Sequence, residues 1–244
     1  MMAELHKRLM GIAFMAGMAG VGCSAAPMLA PAPVQAGDAK LLAVAPVSPI
    51  EEALTKADGY FITQYHHKRF NPAQGRSNNA NCGPTSLAMA LRAFDVEPTG
   101  YEAASASNEL IKTVRRAMTG QVDEMTWTYP IQVRDGARKF GLNSRIVFSL
   151  DTIRREMAQP GRLMVININP SPAYADQLVF PYNGGHFALL TKIQGDKAYV
   201  SDPLAKGPIV ISIKQLETAL TTPLGRDPNG HDVAPYNGGV LLWK

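Results

Sequence analysis

The sequence predicts an α+β protein, a helical portion packed against an antiparallel sheet, on two observations. Helical periodicities fall mainly in the first half of the chain and strand patterns in the second, an order that segregates helices from sheet. The composition, 244 residues with 46% hydrophobic and 18% charged, is that of a folded chain with material for one domain of fewer than about 200 residues plus extra segments.

The opening reads as a targeting signal. Lys7 and Arg8 precede an uncharged run, Leu9 to Gly22, too short to span a bilayer as a stable helix. The run ends in Gly20-Val21-Gly22-Cys23-Ser24, similar to the lipobox at which bacterial lipoproteins are cleaved and acylated on cysteine, with Gly20 where a larger aliphatic residue is usual. A second cut is readable after Val34-Gln35-Ala36, between small residues. The first implies a periplasmic or outer-membrane lipoprotein anchored through Cys23, the second a free periplasmic or secreted protein. Both imply export.

Residues 24–57 are rich in Ala, Pro and Val (Ala30-Pro31-Ala32-Pro33, Ala45-Pro46-Val47), the composition of a semi-extended linker. The folded domain is expected over residues 58–244, after a signal sequence at 1–23. A short helix is expected at Ile50–Ala57 and a short strand at Tyr60-Phe61-Ile62-Thr63. Asn71 to Asn81 holds turn formers and small polar residues and reads as a loop. From Gly83 the pattern changes: Leu87, Ala90, Leu91 and Phe94 recur at helical spacing, Pro84 suits a first turn and Asn81 a cap. Cys82 therefore opens a mostly buried helix. Further helices fit Ser107–Met118, Pro130–Phe140 (closed by Gly141), Leu150–Ala158 and Ile213–Leu220. Strands fit Arg145–Phe148, Leu163–Ile168, His186–Ile193, Lys197–Ser201, Ile209–Ser212 and Val240–Trp243.

Charge excludes one partner class. The net charge is +4, but the basic pairs Arg115–Arg116, Arg138–Lys139 and Arg154–Arg155 are scattered, so no nucleic-acid footprint forms. No His-Glu-x-x-His motif or CxxC pair is present, and Asp227 to Asp232 lacks the length and terminal glutamate of a calcium loop, so no metal or cofactor is expected.

Of the two cysteines, Cys23 lies in the signal region, which leaves Cys82 a lone thiol in an oxidising compartment. Its place at a helix mouth lowers the thiol pKa and favours the nucleophilic thiolate. A thiol nucleophile needs an imidazole, which can lie far along the chain. Among five histidines, His6 is in the signal, His66 and His67 sit beside Lys68 and Arg69, and His231 lies in a turn-like surface segment. His186 alone opens an apolar strand, after Gly184-Gly185. Pro181-Tyr182-Asn183-Gly184-Gly185-His186 is echoed by Pro235-Tyr236-Asn237-Gly238-Gly239-Val240, so the turn itself does not require the histidine.

A third group should orient the imidazole. Asp202 ends the strand after the one bearing His186, with a hairpin at Gln194–Lys197 between them. A strict two-residue turn at Gly195-Asp196 would set His186 and Asp202 on opposite faces, so an odd-length loop or a bulge is required.

Asn81-Cys82-Gly83-Pro84-Thr85-Ser86, then Gly185-His186-Phe187-Ala188-Leu189-Leu190 and, after it, Asp202-Pro203 resemble the bacteriocin-processing, or double-glycine, peptidase family within the papain-like cysteine peptidases. The resemblance runs roughly from Tyr60 to Ser212. It implies a papain-like fold and a Cys82, His186 and Asp202 triad that hydrolyses a peptide or protein substrate through a thioester. It also implies an oxyanion donor, usually a glutamine six residues before the cysteine; here that position is Arg76. Gln64, which ends Phe61-Ile62-Thr63-Gln64, is the candidate to act with the Cys82 N–H, with Asn79, Asn78 and Gln74 as rivals. Classical members of that family are fused to export transporters and process leader peptides inside the cell. This chain is expected to stand alone and to be exported, and that specificity is not carried over. Two other readings compete: a different papain-like acyl chemistry such as cell-wall amide hydrolysis or acyl transfer, and a non-catalytic peptide-binding lipoprotein on the same fold.

Overall fold

The computed structural model describes residues 57–64, 70–71, 76–77, 79–96, 107–179 and 181–244. The expected signal and lipobox, the linker and the Ile50–Ala57 helix short of its last residue lie outside the described residues, as do His66, His67, Gln74 and Asn78.

Three helices follow one another in the first half: α2 (Cys82–Ala93), α3 (Ser107–Thr119) and α4 (Pro130–Lys139). They are preceded by a single helical turn, α1 (Ala57–Tyr60), and by β1 (Phe70–Asn71) and β2 (Arg76–Ser77). The second half supplies β3 (Asn143–Phe148), α5 (Leu150–Met157), β4 (Leu163–Ile168), α6 (Ser171–Tyr174), β5 (His186–Gln194), β6 (Lys197–Ser201), β7 (Ile209–Ser212), α7 (Ile213–Thr221) and β8 (Gly238–Trp243). Six strands form one sheet in the order β3-β8-β4-β5-β6-β7, each pair antiparallel. The predicted α+β class is what the chain adopts, and the helix at Cys82 and the helices and strands expected from Ser107 onward begin and end within a few residues of the expected positions.

Every residue of β4 is buried, although alternate side chains of a strand point to opposite faces. Both faces are covered. Leu163 and Val165 join Leu87, Leu91, Val114 and Val133 from α2, α3 and α4. Met164, Ile166 and Ile168 join Ile153 and Met157 of α5 and Leu216, Ala219 and Leu220 of α7 on the other face. The sheet is thus a middle layer, which the helices of the first half alone would not have produced.

Two local expectations are corrected. Tyr60-Phe61-Ile62-Thr63 is not a strand: Tyr60 ends α1, and the residues after it run irregularly to Gln64. The segment is laid over the core, with Tyr60 and Ile62 buried against α2, so packing overrides its β-branched and aromatic propensity. The stretch from Asn71 to Asn81, read as loop, carries part of a small antiparallel ladder, Phe70 opposite Ser77 and Asn71 opposite Arg76. A ladder of two residues per strand needs no hydrophobic alternation and leaves no trace in the pattern.

Candidate active site

Cys82 is the first residue of α2, and the helix behind it is almost wholly buried. The packing at this mouth is tight. A Cβ on Gly83 would stand 2.5 Å from Thr128 Oγ1 and 3.3 Å from a ring carbon of Phe187, so only glycine lets the 120–129 segment and β5 close on the helix start. Asn81 precedes the helix as expected, but its side chain is not the cap. Its backbone (φ −87°, ψ 5°) lacks the extended geometry of a capping residue, and its Oδ1 accepts from Arg115 Nε at 2.7 Å instead.

His186 opens β5 opposite Ile168 and is 1% exposed. Its Nε2 lies 2.8 Å from Asp202 Oδ1. With Nε2 engaged, Nδ1 is the ring nitrogen left for Cys82, whose thiol hydrogen-bonds His186. The face problem posed by the hairpin is solved by a bulge. The turn at Gly195-Asp196 is a strict two-residue one, with Gln194 paired to Lys197, but the register shifts between Leu190 and Lys192. Thr191 is the extra residue, and its Oγ1 donates to Tyr199 O at 3.1 Å. Beyond the shift Leu189 faces Ser201, so Asp202 falls opposite Ala188 and on the face of His186.

Asp202 is fully buried and its oxygens are satisfied three times over. Oδ1 accepts from His186 and from the Leu204 N–H at 2.7 Å, and Oδ2 accepts from Tyr174 Oη at 3.0 Å. Tyr174 is held in turn by α7: Gln215 Nε2 donates to Ala173 O at 2.8 Å. The chain after β4 is helical over Ser171–Tyr174 and Ala175–Gln177, and Tyr174 there anchors the carboxylate.

These contacts polarise the thiol and the imidazole in opposite directions. Burial pushes the Cys82 thiol up, but the hydrogen bond and positive charge of His186 and the backbone N–H groups of Phe187 and Gly83 outweigh it and leave the thiol below its ordinary value. Burial also disfavours the imidazolium, yet the Asp202 carboxylate and the Cys82 thiolate raise His186 to about 10. Thiolate and imidazolium thus stabilise each other. The Tyr182 ring packs 5.5 Å from the imidazole, and burial together with the Cys82 charge pushes its phenol up to about 12. His231 is a surface residue on the Asp227 turn, as expected.

Gln64 lies beside this group. Its backbone N–H donates to Pro203 O at 3.0 Å, and Tyr60 Oη is 2.8 Å from Ser201 Oγ, so the segment is tied to the strand end that presents Asp202. The Gln64 side chain is buried. Of its rivals, Asn79 forms a local turn, its Oδ1 accepting from the Asn81 N–H at 3.0 Å.

An α+β chain with a polarised thiol at a helix mouth beside a buried His–Asp pair has the architecture of a cysteine peptidase-like hydrolase. The chain belongs to the Peptidase_C39 like family, whose model matches residues 60–218. Among solved structures it is similar to a double glycine motif protease from an AMS/PCAT transporter in complex with the leader peptide (18% identity, 67% of this chain and 84% of that chain, TM-score 0.41). It is also similar to the peptidase domain of Streptococcus ComA, a bi-functional ABC transporter involved in a quorum sensing pathway (13% identity, 67% and 91% coverage, TM-score 0.43). No curated relative matches the chain.

Sequence reasoning missed Tyr174 and Arg115. Tyr174 carried no signal, because its partner is 28 positions away. Arg115 did carry one: it sits among Leu110, Ile111, Val114 and Met118 on the apolar stripe of α3, where a charged side chain must be buried and bonded.

Proposed function

We propose that the protein cleaves peptide bonds by acyl transfer to Cys82, with His186 as proton carrier and Asp202 as its orienting carboxylate. The observation that carries this reading is a buried imidazole held by Asp202 at 2.8 Å through Nε2 and hydrogen-bonded to the Cys82 thiol. The Cys82 thiolate attacks the scissile carbonyl carbon, and the carbonyl π pair moves onto oxygen. The oxyanion is met by the Cys82 backbone N–H and by the Gln64 side-chain amide. Collapse expels the amine, which takes the proton from the imidazolium and leaves a thioester. Water then gives a proton to His186 as it adds to the thioester. The second collapse releases the acid and returns Cys82 as thiolate beside the imidazolium.

A peptide substrate is supported by family membership. Export is supported by the basic residues and apolar run that open the sequence, and a lipid anchor by Cys23.

The test is a diverse peptide library incubated with the purified chain and read by mass spectrometry, with Cys82→Ala as control. Cysteine-dependent products are expected. No products, together with no labelling of Cys82 by an electrophilic probe, would turn the reading to a non-catalytic peptide-binding protein. Acyl transfer to an added amine without hydrolysis would turn it to a transferase.

A further inference from the structure

Arg115 is the largest fully buried side chain among the described residues, and nothing in the chemistry above uses it. Its guanidinium binds two segments at once. Nε donates to Asn81 Oδ1 at 2.7 Å and Nη2 to Ala80 O at 2.6 Å, both immediately before Cys82. Nη1 donates to Asp123 O at 2.7 Å and Thr126 O at 2.9 Å in the 120–129 segment. Ala80 N also donates to Glu124 O at 2.6 Å, so the two segments are joined beside the fork as well as through it. Downstream in the same segment, Thr128 presses on Gly83, and a Trp127 ring carbon would lie 3.9 Å from a Cβ on Gly185, next to His186.

We propose that Arg115 is a positioning residue for the nucleophile: its fork fixes the mouth of α2 to the 120–129 segment, and its buried charge favours the Cys82 thiolate. The proposal rests on Cys82 being the nucleophile. Desolvating a guanidinium is costly, and hydrophobic packing would hold two loops more cheaply, so a charge kept here points to an electrostatic task. The charged groups that face Arg115 are Cys82, Glu124 and Asp123; those that face the thiol are Arg115, His186 and Tyr182.

The experiment measures the rate of Cys82 alkylation by iodoacetamide against pH in the full chain, with kcat and KM on a cysteine-dependent peptide product of the library assay. Variants are Arg115→Gln, Arg115→Lys and, as a control on the exposed neighbour, Arg116→Gln. Arg115→Gln is expected to slow alkylation by about tenfold at pH values below the wild-type midpoint, as a midpoint raised by about one unit would, and to lower kcat with little change in KM. Arg115→Lys keeps charge without the fork, so it should retain the wild-type alkylation profile and still lose kcat. A folded Arg115→Gln protein with the wild-type profile overturns the proposal. If Arg115→Gln does not fold, Arg115→Lys decides: wild-type kcat overturns the proposal, reduced kcat on a wild-type profile supports it. If neither folds, Arg115 is a strut of the fold and the proposal fails. Wild-type alkylation that is indifferent to His186→Ala would instead sink the nucleophile assignment itself, separately from Arg115.

Discussion

Tyr174 Oη donates to Asp202 Oδ2 at 3.0 Å, on the carboxylate oxygen that His186 does not use. Burial, the Asp202 charge and this hydrogen bond together keep the phenol protonated far above its usual range, so Tyr174 is a permanent donor to that oxygen. A buried carboxylate with one oxygen bare would rotate or draw a proton, and His186 would lose its fixed partner. Tyr174→Phe keeps the ring in the core and removes only the donor. It should cost about 1–3 kcal/mol of stability, the penalty of an unsatisfied buried acceptor, and lower kcat with KM unchanged. Urea unfolding and steady-state kinetics check it; wild-type kcat would show that His186 and the Leu204 N–H suffice.

The coupled thiol and imidazole set a pH window. Thiolate and imidazolium coexist between the depressed Cys82 value and the raised His186 value of about 10. The rate of Cys82 alkylation should already be high below pH 9.0, the thiol's ordinary value, and kcat/KM should fall near pH 10 as the imidazolium loses the proton due to the leaving amine.

Stability carries the same signature with opposing signs. His186 is raised from 6.5, so its contribution is fully present below about 6.5 and is lost as pH rises through about 10. Cys82 is lowered from 9.0, so its contribution is present above 9.0 and is lost as pH falls through its folded value. In the wild type the two slopes oppose each other between those limits. Cys82→Ala removes one of them and leaves the Asp202-raised imidazole. The variant should therefore lose stability as pH rises above 6.5, until the imidazole held by Asp202 has lost its proton, while the wild type changes less. Equal shifts in urea midpoint for both proteins would refute the coupling.

Gly83 sits where two walls of the site meet, and its substitution separates packing from chemistry. A Cβ there meets Thr128 Oγ1 at 2.5 Å, and Thr128 Oγ1 has no hydrogen-bond partner among the described residues. Gly83→Ala should cost about 1–3 kcal/mol through overpacking. Thr128→Ala removes the clashing hydroxyl without stranding a partner, so the double variant should recover most of the loss. Additive effects in that cycle would mean that Phe187, not Thr128, is what the new methyl strikes.

How far the sequence discloses this architecture follows from the range of each signal. Cys82 and its helix were legible because the break between a turn-rich stretch and an apolar i, i+3, i+4 pattern is local. The His186–Asp202 relation was legible as a constraint, since two-residue periodicity demanded an odd-length loop or a bulge, but nothing local marked Thr191 as its place. The echoed turns show a similar limit. A Cβ on Gly239 would stand 2.7 Å from Val165 O, whereas one on Gly185 meets nothing nearer than 3.5 Å. The same Gly-Gly thus answers a backbone contact in one copy and not in the other. Arg115 and Tyr174 act through partners set by tertiary packing, which residue types alone do not specify.

Gln64 is the group whose role the sequence left most open, because it stands far ahead of the position the family resemblance names. Its backbone is pinned to Pro203 O and its side chain is buried at the same end of the sheet as Asp202. An oxyanion donor acts only once carbonyl oxygen carries charge, so its loss should not touch the resting thiolate. Gln64→Ala should lower kcat by roughly a hundredfold or more, the usual effect of deleting one such donor, with the alkylation rate of Cys82 unchanged. Gln64→Glu should be as poor, since a carboxylate repels the oxyanion. Full activity in Gln64→Ala would transfer the role to another donor, and Asn79→Ala is the variant to make next. A fall in alkylation rate matching the fall in kcat would mean instead that Gln64 supports the thiolate–imidazolium pair, not the oxyanion.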